Sequence, residues 1–325
     1  MNVTEVATKP NRLVEIDILK GLGILAMVAG HVGFGRVFDF AIHPFNMPLF
    51  FLASGFLYRC RGSFSLYVKK KARTLLVPYI LFGLLFCIIW TPVQLLRGEP
   101  LFDLAFHLFL MNSEGIPIGG ALWFLTAFFF AAVLFDLIFR LSKRGGVLLA
   151  TLSIALGCFG FSCPIQLPLC LNQALVGMLL MYIGFVFRTN QISEKAKVAT
   201  PSFILLFAAF GLFIAWLNGF VNMRTNVYGN PLLFVVAAST ITFVMYYISL
   251  RLTTGLSKLI DELKFVGSNS MGYLCMNQLV LLVPMKLLTV LNLHFLNPLI
   301  LIIAMAVLHW LVSALNNKFP LLLGK

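Results

Sequence analysis

Apolar runs close to the length that crosses a bilayer, about twenty residues, recur throughout this chain, and they leave few folds open. A helix rises about 1.5 Å per residue, so such a run matches the hydrocarbon thickness of a membrane. Lipid offers no hydrogen bonds, and a helix satisfies its backbone internally. The runs lie at 18–38, 43–60, 74–96, 119–140, 147–162, 171–188, 201–219, 231–251, 270–291 and 296–315. The fold class they imply is all-α: a polytopic integral-membrane helical bundle of about ten transmembrane helices. Composition agrees, with 60% hydrophobic and 11% charged residues among 325; soluble domains carry about 25% charged residues. The stretch 101–111 is too short to span and reads as an interfacial or re-entrant helix. Residues 1–17 then form a short arm, 18–315 one membrane domain, and 316–325 a tail, with no separate soluble domain.

A net charge of +13 would suit nucleic acid, but its distribution argues against that partner. The bases gather between the spans, on alternate sides. Lys9 and Arg12 precede the first run, and Arg59, Arg61, Lys69, Lys70, Lys71 and Arg73 separate the second from the third. Arg140, Lys143 and Arg144 follow, then Arg188, Lys195 and Lys197, then Arg251, Lys258 and Lys264. The intervening loops are nearly bare of bases. Basic loops stay cytoplasmic, so both termini are expected in the cytoplasm. The six cysteines have no metal-ligand spacing, and no metal is expected. Cys163 and Cys170 share a short loop that an oxidising compartment could bridge. No nucleophile-elbow, zinc-peptidase, P-loop or dinucleotide signature occurs.

Within this apolar background the ionisable residues carry the functional signal, because a membrane tolerates them only beside a partner or a cavity. In the first span Lys20 and His31 stand eleven residues apart. On a helix they point almost the same way, about 16 Å apart along the axis. Asp17 falls about 40° from the same stripe. An imidazole there can serve as a general base near neutral pH. Ile42–Phe56 holds His43, Asn46 and Ser54 around Pro48, a kink with polar groups that a substrate cleft would need. Tyr67–Tyr79 holds Lys70, Lys71 and Arg73 ahead of Tyr79. The lysines read as the positive-inside signal, and Arg73 as a phosphate fork at the mouth of the third span. Trp123 sits at aromatic-belt depth; His107 and Glu114 precede it. Arg224 is a lone base in an otherwise neutral loop, and Asn277 and Gln278 are deep amides suited to lining a cavity.

These stretches together resemble acyltransferase family 3, the integral-membrane proteins that O-acylate cell-surface carbohydrates in bacteria. An acidic and a basic residue open the first span, with ten residues before a His: Asp17, Lys20 and His31. Family members often carry Arg where Lys20 stands. The "F-x-M-P-L-F-F-x-x-S-G-F" stretch runs from Phe45 to Phe56. The basic cluster before Pro-Tyr appears as Lys70, Lys71, Arg73, Pro78 and Tyr79, and "L-W-F-L" as Leu122 to Leu125. The likeness is concentrated in the first 125 residues.

The resemblance implies acetyl-CoA or another acyl-CoA as donor substrate, with no permanently bound cofactor. It makes His31 the essential residue, and a hydroxyl of a cell-surface or lipid-linked glycan the acceptor. The protein would then sit in the bacterial inner membrane as a multi-pass enzyme. Its partners would be acyl-CoA, glycan, membrane lipids and glycan-biosynthesis proteins, with a homodimer open. Arg73, Lys70, Lys71, Arg12 and Tyr79 are expected on the donor side. His43, Asn46, Ser54, Trp123, Arg224, Asn277 and Gln278 are expected on the acceptor side. His31 would act as general base or acyl relay. A transporter or flippase of a glycan precursor is the alternative, since it too needs a polar cleft and a basic mouth; a structural or sensor protein would not need His31.

Overall fold

The structure, a computed structural model, describes residues 13–114, 118–142, 146–253 and 258–325; Arg12 lies outside them. Among the described residues the regular structure is helical. It begins with α1 (Val14–Val32), α2 (Arg36–Asn46), α3 (Pro48–Leu57), α4 (Phe64–Lys71) and α5 (Val77–Leu96). Then come α6 (Phe102–Phe109), α7 (Trp123–Leu141), α8 (Val147–Ser162), α9 (Leu171–Thr189) and α10 (Ile192–Val198). The last are α11 (Pro201–Asn218), α12 (Pro231–Leu252), α13 (Lys258–Ser268), α14 (Ser270–Leu291) and α15 (Asn297–Lys318). Eight helical stretches are long and apolar enough to cross a membrane. With α1, which carries Glu15, Asp17 and Lys20, and the 16-residue α8, the set reaches ten.

Local chemistry explains the helix ends. Pro231 opens α12 behind Asn230, whose Oδ1 accepts from the Leu232 and Leu233 amides. Thr200 and Pro201 open α11 in the same way. Gly33 closes α1 at φ +82°, a backbone region that L side chains avoid.

Two boundaries differ from the sequence reading. The second span starts at Arg36 rather than 43 and is broken into α2 and α3. Pro48 has no amide hydrogen, and Asn46 Oδ1 takes the Met47 amide at 2.7 Å, so the helix restarts at that point. The third span starts at Phe64 rather than 74, so Lys69–Arg73 are helical and not in a loop. Ala72–Leu76 forms a π-helical turn in which the Val77 amide bonds the Ala72 carbonyl. Pro78, with no amide hydrogen, favours that irregularity. The short stretch after α5 is re-entrant in form. α6 folds back along α5, with Leu108 against Gly83 and Tyr79 donating to the Leu108 carbonyl.

Glycines set the tightest helix contacts. Gly55 of α3 meets the Met181 carbonyl, and Gly184 of α9 meets the Leu52 carbonyl. A side chain at either would fall inside the facing backbone, so the small-residue packing common in membranes is obligatory here. Gly21 of α1 and Gly267 of α13 interlock in the same way. α1 thus lies inside the bundle, touching α2, α3, α12, α13, α14 and α15. Apolar side chains on α11 and α15 face outward, among them Leu205, Trp216, Ile302 and Trp310.

Two buried features escaped the sequence reading, the contacts of Asp136 and the packing of the C-terminal segment. Asp136, fully buried, accepts from Arg140 Nε at 2.6 Å and from the Tyr58 hydroxyl at 2.6 Å. All six cysteines are free, so the Cys163–Cys170 bridge is not formed: Cys170 bonds Asn112, and Cys163 the Ile165 carbonyl. Residues 316–325 are docked rather than loose, with Leu323 buried beside Gly272.

Candidate functional site

His31 is exposed, although α1 is walled in by six other helices and most of its residues are buried. His43 lies against the same point of α1. The His43 ring packs at ordinary contact distance beside Gly30, one residue before His31, while Ile42 fills the space that a Cβ there would take. The His43 Nδ1 is 3.0 Å from the Asp39 carbonyl, and its ring lies 5.4 Å from that of Phe220. Arg224 arrives from the loop after α11, and both Arg224 and His43 act electrostatically on His31. Three cationic or titratable side chains thus converge from α1, α2 and a distant loop.

The other end of α1 is basic. Lys71 is half-buried, and its ammonium lies over the rings of Tyr67 and Phe128 at 5.6 and 5.2 Å. Lys20, Lys70 and Asp136 are the charges that act on it. Lys20 and Lys71 are therefore brought together, one from α1 and one from α4. Lys70 is exposed. Arg73 is exposed as well and turned away, its Nη2 3.4 Å from the Lys325 carbonyl oxygen. The π-helical turn separates these fates, since it begins between Lys71 and Arg73. Asp17 is buried where α13 crosses α1, about 21 Å along the axis from His31. It cannot orient the imidazole.

Several expected lining residues do other work. Asn46 is buried and spends its carbonyl on the helix break. Asn277 is fully enclosed, its amide donating back to the Tyr273 and Leu274 carbonyls while its Oδ1 is buried without a partner. Tyr79 is buried, joined to α6. Trp123 is buried at the start of α7, and Ser54 is half-buried on α3. Neither His107, bonded to its own helix at Asp103, nor exposed Glu114 joins the group around His31.

Gln278, by contrast, is half-buried and crowds the same point above Gly120 as the Arg224 guanidinium. Burial presses the proton affinity of Arg224 downward, with Cys170 and Glu114 opposing that shift; arginine nonetheless remains charged. Gly120 and Ser113, which help position Arg224, were missed in the sequence. The Gly119–Gly120 pair ahead of α7 was their one visible signal.

The arrangement sets lysines at one end of α1 and an imidazole about 16 Å further along the same helix. It can hold an extended anionic molecule by its charged end and present a general base to its far end. A protein-family model described as an acyltransferase domain matches residues 13–315. No curated protein and no solved structure matches the chain.

Proposed function

The chain belongs to acyltransferase family 3, whose model spans nearly all of it, and from that premise we propose that it moves an acyl group, most simply acetyl, from acyl-coenzyme A to a glycan hydroxyl. The acceptor is a cell-surface or lipid-linked saccharide. The observation that supports this reading is the placing of Lys20 and His31 along α1, with Lys71 beside Lys20. Lys20 and Lys71 meet the phosphates of the coenzyme at the basic, cytoplasmic end. The long pantetheine arm then lies along α1 and delivers the thioester beside His31. Both termini are cytoplasmic, and the membrane is the bacterial inner membrane.

The chemistry balances without a further reactant. The neutral imidazole of His31 accepts the proton of the sugar hydroxyl as its oxygen attacks the thioester carbonyl. The tetrahedral adduct collapses, the C–S bond breaks, and the coenzyme thiolate leaves. It takes up the proton from the imidazolium, which regenerates the base. The products are an O-acyl sugar and free coenzyme.

The test is transfer of labelled acetyl from acetyl-coenzyme A to glycan by purified protein. His31→Ala should lower the rate at least about a hundredfold, since a positioned general base contributes about that much or more, while donor binding persists. Near-normal turnover in that variant would refute the assignment. Label retained on the wild-type protein would show that His31 carries the acyl group instead of directing attack. Vectorial movement of a glycan precursor without acyl transfer would favour the transporter.

A further inference from the structure

Among the described residues one cation beside His31 has no carboxylate within ion-pair distance. Arg224 leaves the short Met223–Thr225 turn, and its guanidinium is held on two sides. Nε donates to the Ser113 carbonyl, while Nη1 and the Gln278 amide crowd the space above Gly120. A Cβ on Gly120 would occupy the place of Nη1, so the glycine is part of the cradle. Gln173 fixes the backbone by donating to the Arg224 carbonyl at 2.7 Å. Among the described residues no carboxylate comes within ion-pair distance of Arg224. Glu114 acts on it only from further off.

A partly desolvated guanidinium held in place with no carboxylate paired to it is costly. The side chains that bond around it are neutral. Gln166 donates to Ser113 at 3.0 Å and accepts from Asn226 at 3.1 Å, which ties the three loops around Arg224 together. Amides bond hydroxyls in either direction, and a guanidinium grips a carboxylate or phosphate as a fork. A ring of amides around one free fork suits a sugar that bears one negative group.

We infer that Arg224 is the anion-recognising residue of the acceptor site, so that the hydroxyl presented to His31 belongs to a saccharide carrying a carboxylate or a phosphate. The link to His31 rests on the acyl-transfer reading; recognition of the charged sugar does not require transfer.

The experiment therefore measures binding. Saturation-transfer NMR on the purified full-length protein compares methyl glucoside, methyl glucuronide and glucose 6-phosphate, in wild type, Arg224→Gln and Arg224→Lys. A charged sugar should half-saturate at a concentration about tenfold lower than the glucoside, as a charge-assisted bond warrants. That advantage should vanish in Arg224→Gln and survive in part in Arg224→Lys. The glucuronide and phosphate arms tell which anion is taken. Equal binding of all three sugars, binding of none, or a preference that persists in Arg224→Gln would overturn the inference. Should Arg224→Gln fail to fold, the salt dependence of wild type decides: the preference must shrink as salt rises. A charged-sugar preference without any acyl transfer would sink the proposed reaction and leave this site standing.

Discussion

Replacing Asp136 by Ala should loosen the basic end of the bundle. The carboxylate is 0% exposed and takes three hydrogen bonds: from Tyr58 at 2.6 Å, Arg140 Nε at 2.6 Å and Arg140 Nη2 at 3.3 Å. Truncation leaves the guanidinium without its partner and the phenol without its acceptor. Removing one member of a buried pair costs about 3–5 kcal/mol. Arg140 is 23% exposed and also bonds the Gly62 carbonyl, so part of its charge regains water and the low end applies, about 3 kcal/mol. Asp136→Asn keeps the shape and one acceptor, and should cost about half as much. The check is denaturant unfolding of the purified protein in detergent, following loss of helicity and of tertiary signal. Unfolding of Asp136→Ala at the wild-type midpoint would refute the reasoning and reduce the Tyr58–Asp136–Arg140 cluster to a solvated contact.

Lys71→Ala should raise the donor dissociation constant about tenfold, the worth of one charged contact, and Arg73→Ala should raise it less, because Arg73 is exposed and turned toward the C-terminal segment; titrating acyl-coenzyme A onto each variant compares them, and the reverse order would dismiss Lys71. Gly184→Ala puts a methyl into the Leu52 backbone, so α3 and α9 must part, at about 1–3 kcal/mol or more on the same unfolding assay; an unchanged midpoint would mean that the helices meet elsewhere. Cys60 is exposed in the turn between α3 and α4, so in a variant whose other cysteines are serine an impermeant maleimide should label it only after the cytoplasmic face is opened, and labelling of intact cells would invert the topology.

Span number and class were legible from residue order because they depend on local properties. A run of apolar residues long enough to cross lipid declares itself whatever its neighbours do. The stripe from Lys20 to His31 was legible for a related reason: helical periodicity fixes which residues of one helix share a face. The break at Asn46–Pro48 lay half in view, since the missing amide hydrogen is a property of one residue, although the use of Asn46 to close it is not. What only the tertiary structure decided is where side chains from different helices meet. Lys71 and Arg73 look interchangeable in "KKAR", yet the π-helical turn separates them, one toward Lys20 and one toward the C-terminal segment. Asn277 and Gln278 are adjacent and chemically alike. A step of about 100° around α14 seals the first and brings the second beside Arg224. The meeting of His31, His43 and Arg224 joins residues nearly two hundred positions apart, and Gly120, which leaves room for the Arg224 guanidinium, acts by lacking atoms. Contacts of that kind are set by how backbones approach one another in space, and no local pattern of residues records them.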